Sequence, residues 1–266
     1  MIDGSLLLFK LALTPTLIAL ASLAGRRWGP AFSGWLVGLP LTSGPVAVFL
    51  VLAQGAPFAH TAATNTMLGA ATEGAFCLAY GYSAMRWGWP VALGLAIASF
   101  GVATGLARFL AWPELVLYGL TLTSLIVALK LMPQAHPGGL GPGVDAVRPS
   151  RWDIPARMVI ATCYVLLLTG FATRLGPQLT GLLSPFPLYG AILTVFAHAQ
   201  RGQAAAVRVL RGLLFGLFGF ASFFLVEALL IEHTPMVVAF AAAICATLGV
   251  HGLTLGLMRR SARRAL

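Results

Sequence analysis

Long apolar stretches separated by short polar breaks run through almost the whole chain. A helix that crosses a bilayer needs about twenty mostly apolar residues. Nine stretches meet this requirement, at approximately 5–24, 31–53, 60–85, 89–107, 114–132, 156–173, 178–199, 206–230 and 235–258. The stretch 133–155 is rich in Gly, Pro and charged residues and is predicted to be the one long polar loop. The pattern predicts an all-α polytopic membrane protein with about nine transmembrane helices.

Composition narrows the class of protein further. Of the 266 residues, 59% are apolar and 9% are charged, whereas about 25% of an ordinary soluble domain is charged. These values exclude a cytosolic enzyme, a secreted disulfide scaffold and a disordered chain. The three cysteines lie singly in apolar stretches, without the spacing of metal ligands. Phosphate-binding glycine loops and hydrolase motifs are absent from the sequence, so we expect no enzymatic activity, no metal and no cofactor.

The basic residues indicate how the chain is oriented. Seventeen Lys and Arg outnumber seven Asp and Glu. Only Lys10, Arg108 and Arg174 fall on the side of the N-terminus, and the other fourteen fall on the opposite side. Because basic residues collect on the cytoplasmic side, we expect the N-terminus outside and the C-terminus in the cytoplasm of a bacterial-type inner membrane. The charges form short clusters between spans and no basic face, which argues against nucleic acid as a partner.

The chain contains an internal repeat at an offset of 147 residues. Between 27–55 and 174–202, ten of twenty-nine positions are identical, including matched Arg, Gly and Pro residues. Two copies of a four-helix unit explain this match. They would occupy 1–110 and 156–266, joined by a connector helix and loop at 111–155. Five spans separate the two starts, and because this number is odd, the second copy is predicted to be inverted, as in many secondary transporters.

The matched segments resemble a known family. The segments GLLSPFPL at 181–188 and RVLRGLLFGL at 208–217 are similar to the GlpM-like family of small four-helix membrane proteins. The first half keeps only GWLVGLP at 34–40, without the first proline and the phenylalanine of that motif. The resemblance implies a helical-bundle unit that was doubled in this chain. It implies no particular activity.

The second and seventh spans are predicted to be broken near their centres, because each carries two prolines and several glycines there. Proline removes a helical hydrogen bond, and a broken backbone within a membrane has to be buried in protein or line a cavity. We therefore predict a substrate site between the two breaks, at Pro40, Thr42, Ser43, Gly44, Asn65, Pro187, Tyr189 and Gly190. The alternative is a pair of kinked helices whose GxxxG glycines, such as Gly34/Gly38 and Gly212/Gly216, only allow close packing.

Glu73 is the candidate proton-coupling residue. It lies near the centre of the third span, where an ionised carboxylate costs several kcal/mol unless it faces a polar interior. Thr61, Asn65 and Gly69 precede it at helical spacing and form a polar stripe with it. The alternative is a protonated Glu73 that only hydrogen-bonds a neighbouring helix. Glu227, near one end of the eighth span, is a candidate for the outer vestibule.

These features predict a secondary transporter of a small solute, with Glu73 coupling transport to protons. A carrier or flippase of a lipid-linked or amphiphilic substrate is a second hypothesis, and an accessory subunit of a membrane complex is a third. The expected partners are membrane lipid and a small-molecule substrate, and the sequence leaves open whether the protein forms a homodimer.

Overall fold

The computed structural model describes residues 30–41, 43–134 and 153–263, together with five single positions between 12 and 27. All regular secondary structure in this part of the chain is helical, as predicted. The helices are α1 (Pro30–Val37), α2 (Ser43–Gln54), α3 (Ala56–Ala84), α4 (Trp89–Ala107), α5 (Glu114–Leu131), α6 (Asp153–Leu183), α7 (Leu188–Arg201), α8 (Gln203–Leu230) and α9 (Met236–Arg263). The predicted first span and most of the predicted loop lie outside the described residues.

The long helices α3 and α8 form the centre of the bundle and pack against each other. Helix α3 also contacts α2, α4 and the end of α6, and helix α8 contacts α7, α9 and α1. These contacts correspond one to one when the chain is shifted by 147 residues. Helix α5 packs on both central helices, in the position of the predicted connector. The predicted domain boundaries themselves stay a prediction.

The first predicted break separates α1 from α2. Pro40 lacks an amide hydrogen, so the helical ladder cannot continue through it, and the chain turns between Val37 and Ser43. Short-range hydrogen bonds replace the ladder: the Leu39 amide donates to the Leu36 carbonyl (3.1 Å), the Leu41 amide to the Leu39 carbonyl (2.7 Å) and the Gly44 amide to the Pro40 carbonyl (2.8 Å).

The second predicted break separates α6 from α7, and its turn has the same hydrogen bonds. The Phe186 amide donates to the Leu183 carbonyl (2.9 Å), the Leu188 amide to the Phe186 carbonyl (2.7 Å) and the Ala191 amide to the Pro187 carbonyl (2.6 Å). Each donor and each acceptor lies 147 residues after its counterpart in the first break. The two breaks therefore share one backbone geometry.

The corners that lead into the central helices also match. Gly55 precedes α3 with a φ of 87°, and Gly202 precedes α8 with a φ of 76°. Glycine adopts this left-handed region without the steric cost that a Cβ would bring. A third such residue, Gly176 (φ 73°), interrupts α6 directly before Pro177, between the limits of the predicted sixth and seventh spans.

Close contacts between the halves are reciprocal. A Cβ on Gly34 would overlap the carbonyl oxygen of Val209, and a Cβ on Gly181 would overlap the carbonyl oxygen of Ala62. Gly181 lies 147 residues after Gly34, and Val209 lies 147 residues after Ala62. One contact thus occurs twice, with the roles of the two halves exchanged.

The next turn of the same helices repeats this relation. A Cβ on Gly38 would overlap the backbone of Gly216, and a Cβ on Gly69 would overlap the ring of Pro185. The GxxxG pairs Gly34/Gly38 and Gly212/Gly216 therefore allow α1 to pack closely on α8. Glycines at the same spacing on α4 (Gly101/Gly105) and α9 (Gly252/Gly256) have no other residue within 4 Å of an added Cβ.

The apolar helices of the described residues are consistent with a membrane protein. Four are long and apolar enough to span a bilayer: α4, α5, α8 and residues Met236–Met258 of α9. The pair Gly170–Leu183 and Leu188–Arg201, bent by 47°, makes a fifth if it counts as one span. Large apolar side chains such as Val102 and Leu253 are exposed on α4 and α9, where lipid would cover them.

Fewer of the described helices are long and apolar enough to span a bilayer than the nine predicted, for identifiable reasons. Helix α2, on the far side of the first break, has only twelve residues. Helix α3 is long enough but carries the polar stripe and Glu73. The orientation of the termini and the count of nine spans stay predictions.

Candidate functional site

A small cavity of about 20 Å³, with room for about one water molecule in this conformation, lies where the two breaks meet. The first break contributes Val37, Leu39 and Ser43, and the second contributes the continuous run 185–190. Glu73 lines it from α3, and Leu217 and Phe220 line it from α8. We call this space the central cavity. It contains both members of three pairs of positions related by the offset of 147: Leu39 and Phe186, Ser43 and Gly190, Glu73 and Phe220.

Glu73 is the charged group of the central cavity. Only 4% of the residue is exposed, and none of the lining side chains is basic. Its position follows from the packing of α3, because Gly69, one turn earlier, lets the ring of Pro185 approach the helix. The second break is thereby held beside the carboxyl group. A buried carboxyl without a cationic partner strongly favours its protonated form.

A hydrogen bond connects the two breaks directly. Helical continuation would pair the carbonyl of Ser184 with the amide of Leu188, but that amide donates to Phe186 instead. The hydroxyl of Ser43, the first residue of α2, donates to the freed Ser184 carbonyl at 2.9 Å. Both serines are buried. The polar group exposed by one break is thus satisfied by the other, as burial requires.

Three predicted substrate residues after the second break line the central cavity: Pro187, Tyr189 and Gly190. Tyr189 is 8% exposed, and its hydroxyl has no hydrogen-bond partner among the described residues. A buried hydroxyl that lacks a partner is costly, so it is available to a polar ligand. Ser43 is the fourth predicted residue on the cavity wall.

The other predicted residues lie elsewhere. Pro40 forms the first turn, and Gly44 is buried just beyond it, but neither lines the central cavity. The Asn65 amide group donates to the Thr61 carbonyl of its own helix at 2.8 Å, and the Asn65 Cβ lies against Gly181. Thr42 lies outside the described residues. The polar stripe of α3 therefore includes the face that packs on 177–183 of α6, as well as Glu73 at the cavity.

A second, narrower space contains Glu227 and has no room for a water molecule in this conformation. We call it the Glu227 crevice. It lies between α2, the first third of α3 and the last turns of α8, and it shares Ser43 with the central cavity. Glu227 is fully buried, and neither carboxylate oxygen has a hydrogen-bond partner among the described residues.

Sequence reasoning did not single out four residues at these sites. Ser184 accepts the bond that connects the breaks, and Phe186 and Phe220 line the central cavity. Thr66 lines the Glu227 crevice, and its hydroxyl is 2.8 Å from the Ala62 carbonyl and 3.0 Å from the Gly181 carbonyl. The proline motif contains Ser184 and Phe186 and could have indicated them. For Thr66 and Phe220, the sequence shows only that they lie in predicted helices, which does not indicate that they line a site.

The central cavity combines a buried carboxyl with a tyrosine hydroxyl that has no hydrogen-bond partner among the described residues. Within the described residues, no group of three or more His, Cys, Asp and Glu could hold a metal ion. Comparison with known proteins finds no matching family model, no similar curated protein and no similar solved structure. The resemblance to the GlpM-like family therefore stays a prediction.

Proposed function

We propose that this protein is a proton-coupled secondary transporter of a small solute, and that the central cavity is its substrate site. The observation that carries the proposal is a buried carboxyl facing a cavity built from two broken helices of equal geometry. Freed backbone groups, the Tyr189 hydroxyl and Ser43 bind the solute. Glu73 takes up and releases the proton.

The two halves are inverted copies that exchange conformations. The reciprocal contacts of Gly34 and Gly181 support a two-fold relation between them, and the odd number of predicted spans between the copies supports the inversion. Two halves with equal backbones give open states of similar energy toward either side. Rocking of one half against the other then exposes the central cavity alternately.

The lining of the central cavity favours a neutral or cationic solute. An anionic solute would enter an apolar space whose one charged group is the acidic Glu73 and whose lining has no basic side chain. Uncompensated burial of an anion costs several kcal/mol. A neutral polar molecule avoids this cost, and a cation avoids it when Glu73 has released its proton and pairs with it.

The proposal can be tested without knowing the solute. Ser43→Cys is made in a protein whose Cys77, Cys163 and Cys245 are replaced by Ala. A membrane-impermeant methanethiosulfonate is applied to right-side-out and to inside-out vesicles. We expect the thiol to react from both sides, because alternating access exposes the central cavity to each side in turn.

The matched control is Val102→Cys, a position on α4 that is 65% exposed in the structure and would face lipid. It should stay unmodified from either side. If the Ser43→Cys protein reacts from one side only, or from neither, alternating access is contradicted, and a static accessory subunit becomes the better description.

A further inference from the structure

The Glu227 crevice lies beside the central cavity, displaced along the axis of α8. Phe220 lines the central cavity and Glu227 lies seven residues later on the same continuous helix, a separation of about 10 Å at the usual helical rise. The displacement points toward the end of the bundle where α2 ends and α3 begins. Ser43 lines both spaces, so the crevice and the cavity meet at the Ser43–Ser184 hydrogen bond.

Glu227 has the features of a group that exchanges a proton when its surroundings change. Its carboxyl is fully buried without a partner, and the other residues lining the crevice carry no charge. An isolated ionised carboxylate in such a place is very unfavourable, so the group holds a proton in this conformation. Opening the crevice to water removes that cost and lets the proton leave.

A titratable pair marks the rim beside this carboxyl. His60 of α3 donates from Nδ1 to the carbonyl of Ala228, the residue after Glu227, at 2.8 Å. Its Nε2 lies 3.4 Å from a carboxylate oxygen of Glu114, at the start of α5. Both side chains of the pair are partly exposed. With Nδ1 donating to the carbonyl, Nε2 faces the Glu114 carboxylate at the water-exposed rim.

We propose, on the basis of the proton-coupled transport proposed above, that Glu227 is a second proton-binding carboxyl, through which protons pass between the His60–Glu114 pair and Glu73. In the inward direction the O–H bond of Glu227 breaks and an O–H bond forms on the Glu73 carboxylate, so the total charge of the two groups is unchanged. Glu227 then regains a proton from the rim. The Ser43 hydroxyl lies between the two carboxyls.

The test extends the Ser43→Cys experiment to several pH values, equal on both sides. The ratio of the modification rates from the two sides is measured, because the intrinsic pH dependence of the thiol cancels in it. We expect the ratio to change several-fold with pH, since ionisation of Glu227 favours the state in which its crevice is open. Adding Glu227→Gln, which cannot ionise, should reduce the pH dependence of the ratio to the part that Glu73 contributes, while Glu227→Asp should restore the full dependence.

The matched control is Tyr80→Phe, because Tyr80 occupies the position in α3 that corresponds to Glu227 in α8. It should leave the pH profile of the ratio unchanged. A Glu227→Gln profile that coincides with the parent profile, or a parent ratio that does not vary with pH, contradicts the second proton site but leaves alternating access intact. If the thiol is modified from one side only, or from neither side, the transport proposal itself is contradicted.

An independent measurement uses the protein without substitutions. Dicyclohexylcarbodiimide modifies protonated carboxyls in apolar surroundings, and the modified peptides are identified by mass spectrometry. We expect modification of Glu227 and Glu73, whereas the exposed Glu232 should stay unmodified. An unmodified Glu227 beside a modified Glu73 overturns the proposal even if the Glu227 variants fail to fold.

Discussion

The two halves of the bundle share their backbone and differ in their polar side chains. Both breaks have the same hydrogen bonds, and both central helices begin after a glycine of positive φ. At matched positions, however, Glu73 of α3 corresponds to Phe220 of α8, and Glu227 of α8 corresponds to Tyr80 of α3. The backbone is duplicated, but each acidic group occurs once.

This difference separates two requirements of coupled transport. Equal backbones allow two conformations of similar energy, which is what reversible exchange needs. Unequal side chains make the conformations differ in how they bind protons, and a ligand shifts an equilibrium only by its differential affinity for the two states. In the proposed mechanism, the first requirement rests on the glycines and prolines, and the second on Glu73 and Glu227.

The largest expected effect concerns the shared backbone. Gly34→Ala and Gly181→Ala each place a methyl group on a backbone carbonyl oxygen of the other half. We expect each to lower the free energy of unfolding by about 2–3 kcal/mol, because overpacked sites of this kind have little room to adjust. Denaturation in detergent measures the change.

The control for this pair is Gly101→Ala, since an added Cβ there meets no atom within 4 Å. Alanine favours a helix by about 1 kcal/mol over glycine, so this variant should be as stable as the parent or more so. A tolerated Gly34→Ala beside a disruptive Gly181→Ala would show that the two contacts are not equivalent.

The next largest expected effect concerns Glu73, a carboxyl whose matched position in the other half is Phe220. A solute that raises the melting temperature of the purified protein is identified first, and its uptake into proteoliposomes is then driven by a pH gradient. Glu73→Gln should reduce the gradient-driven component at least about tenfold, as loss of one essential proton-transfer group does, while the solute still raises the melting temperature. Glu232→Gln, which removes an exposed carboxylate, serves as the control. Full gradient-driven uptake by Glu73→Gln would remove its coupling role.

A double substitution tests whether the two halves are interchangeable at the cavity. Glu73 and Phe220 occupy matched positions and line the same space. Exchanging them, as Glu73→Phe with Phe220→Glu, returns one carboxyl to the central cavity from the opposite half. We expect gradient-driven uptake to recover partly relative to Glu73→Phe alone. No recovery, in a protein that still binds the solute, would mean that the position of the carboxyl matters as well as its presence.

The smallest effect concerns the bond that connects the breaks. Ser43→Ala leaves the Ser184 carbonyl without its donor, and a lost hydrogen bond of this kind costs about 1 kcal/mol. The melting temperature should fall by a few degrees. Thr72→Ala is the matched control, because the Thr72 hydroxyl donates only within its own helix, to the Gly69 carbonyl. An equal fall of the melting temperature in both variants would mean that the bond between the breaks stabilises the protein no more than a hydrogen bond within one helix does.

The sequence predicted the helical class and the location of the breaks, because apolar length and proline chemistry are local properties. Pro40 and Pro187 interrupt their helices where the pattern placed the breaks. The boundary after the sixth span also lies where the pattern placed it: Gly176 takes a positive φ that interrupts α6, and Pro177 begins a new helical segment, between the predicted limits at 173 and 178. A proline in the first turn is tolerated because its missing amide would have no partner there.

The partners of individual polar residues could not be predicted, because they depend on which distant helices meet. Ser43 was predicted to contact substrate, and its hydroxyl is also the donor for Ser184, 141 residues away. Asn65 has the same polarity but lies against Gly181 and bonds within its own helix. Helical spacing places both residues on a face, but only the packing of α3 and α6 decides what that face meets.

The reciprocal contacts of Gly34 and Gly181 have a consequence for the origin of the chain. A surface that one half presents to its counterpart, and receives from it in return, is self-complementary in the sense of a symmetric dimer. The predicted duplication would therefore start from a half that can recognise a second copy of itself. Two such halves in one chain need not stay identical, which would allow Glu73 and Glu227 each to occur in one half only.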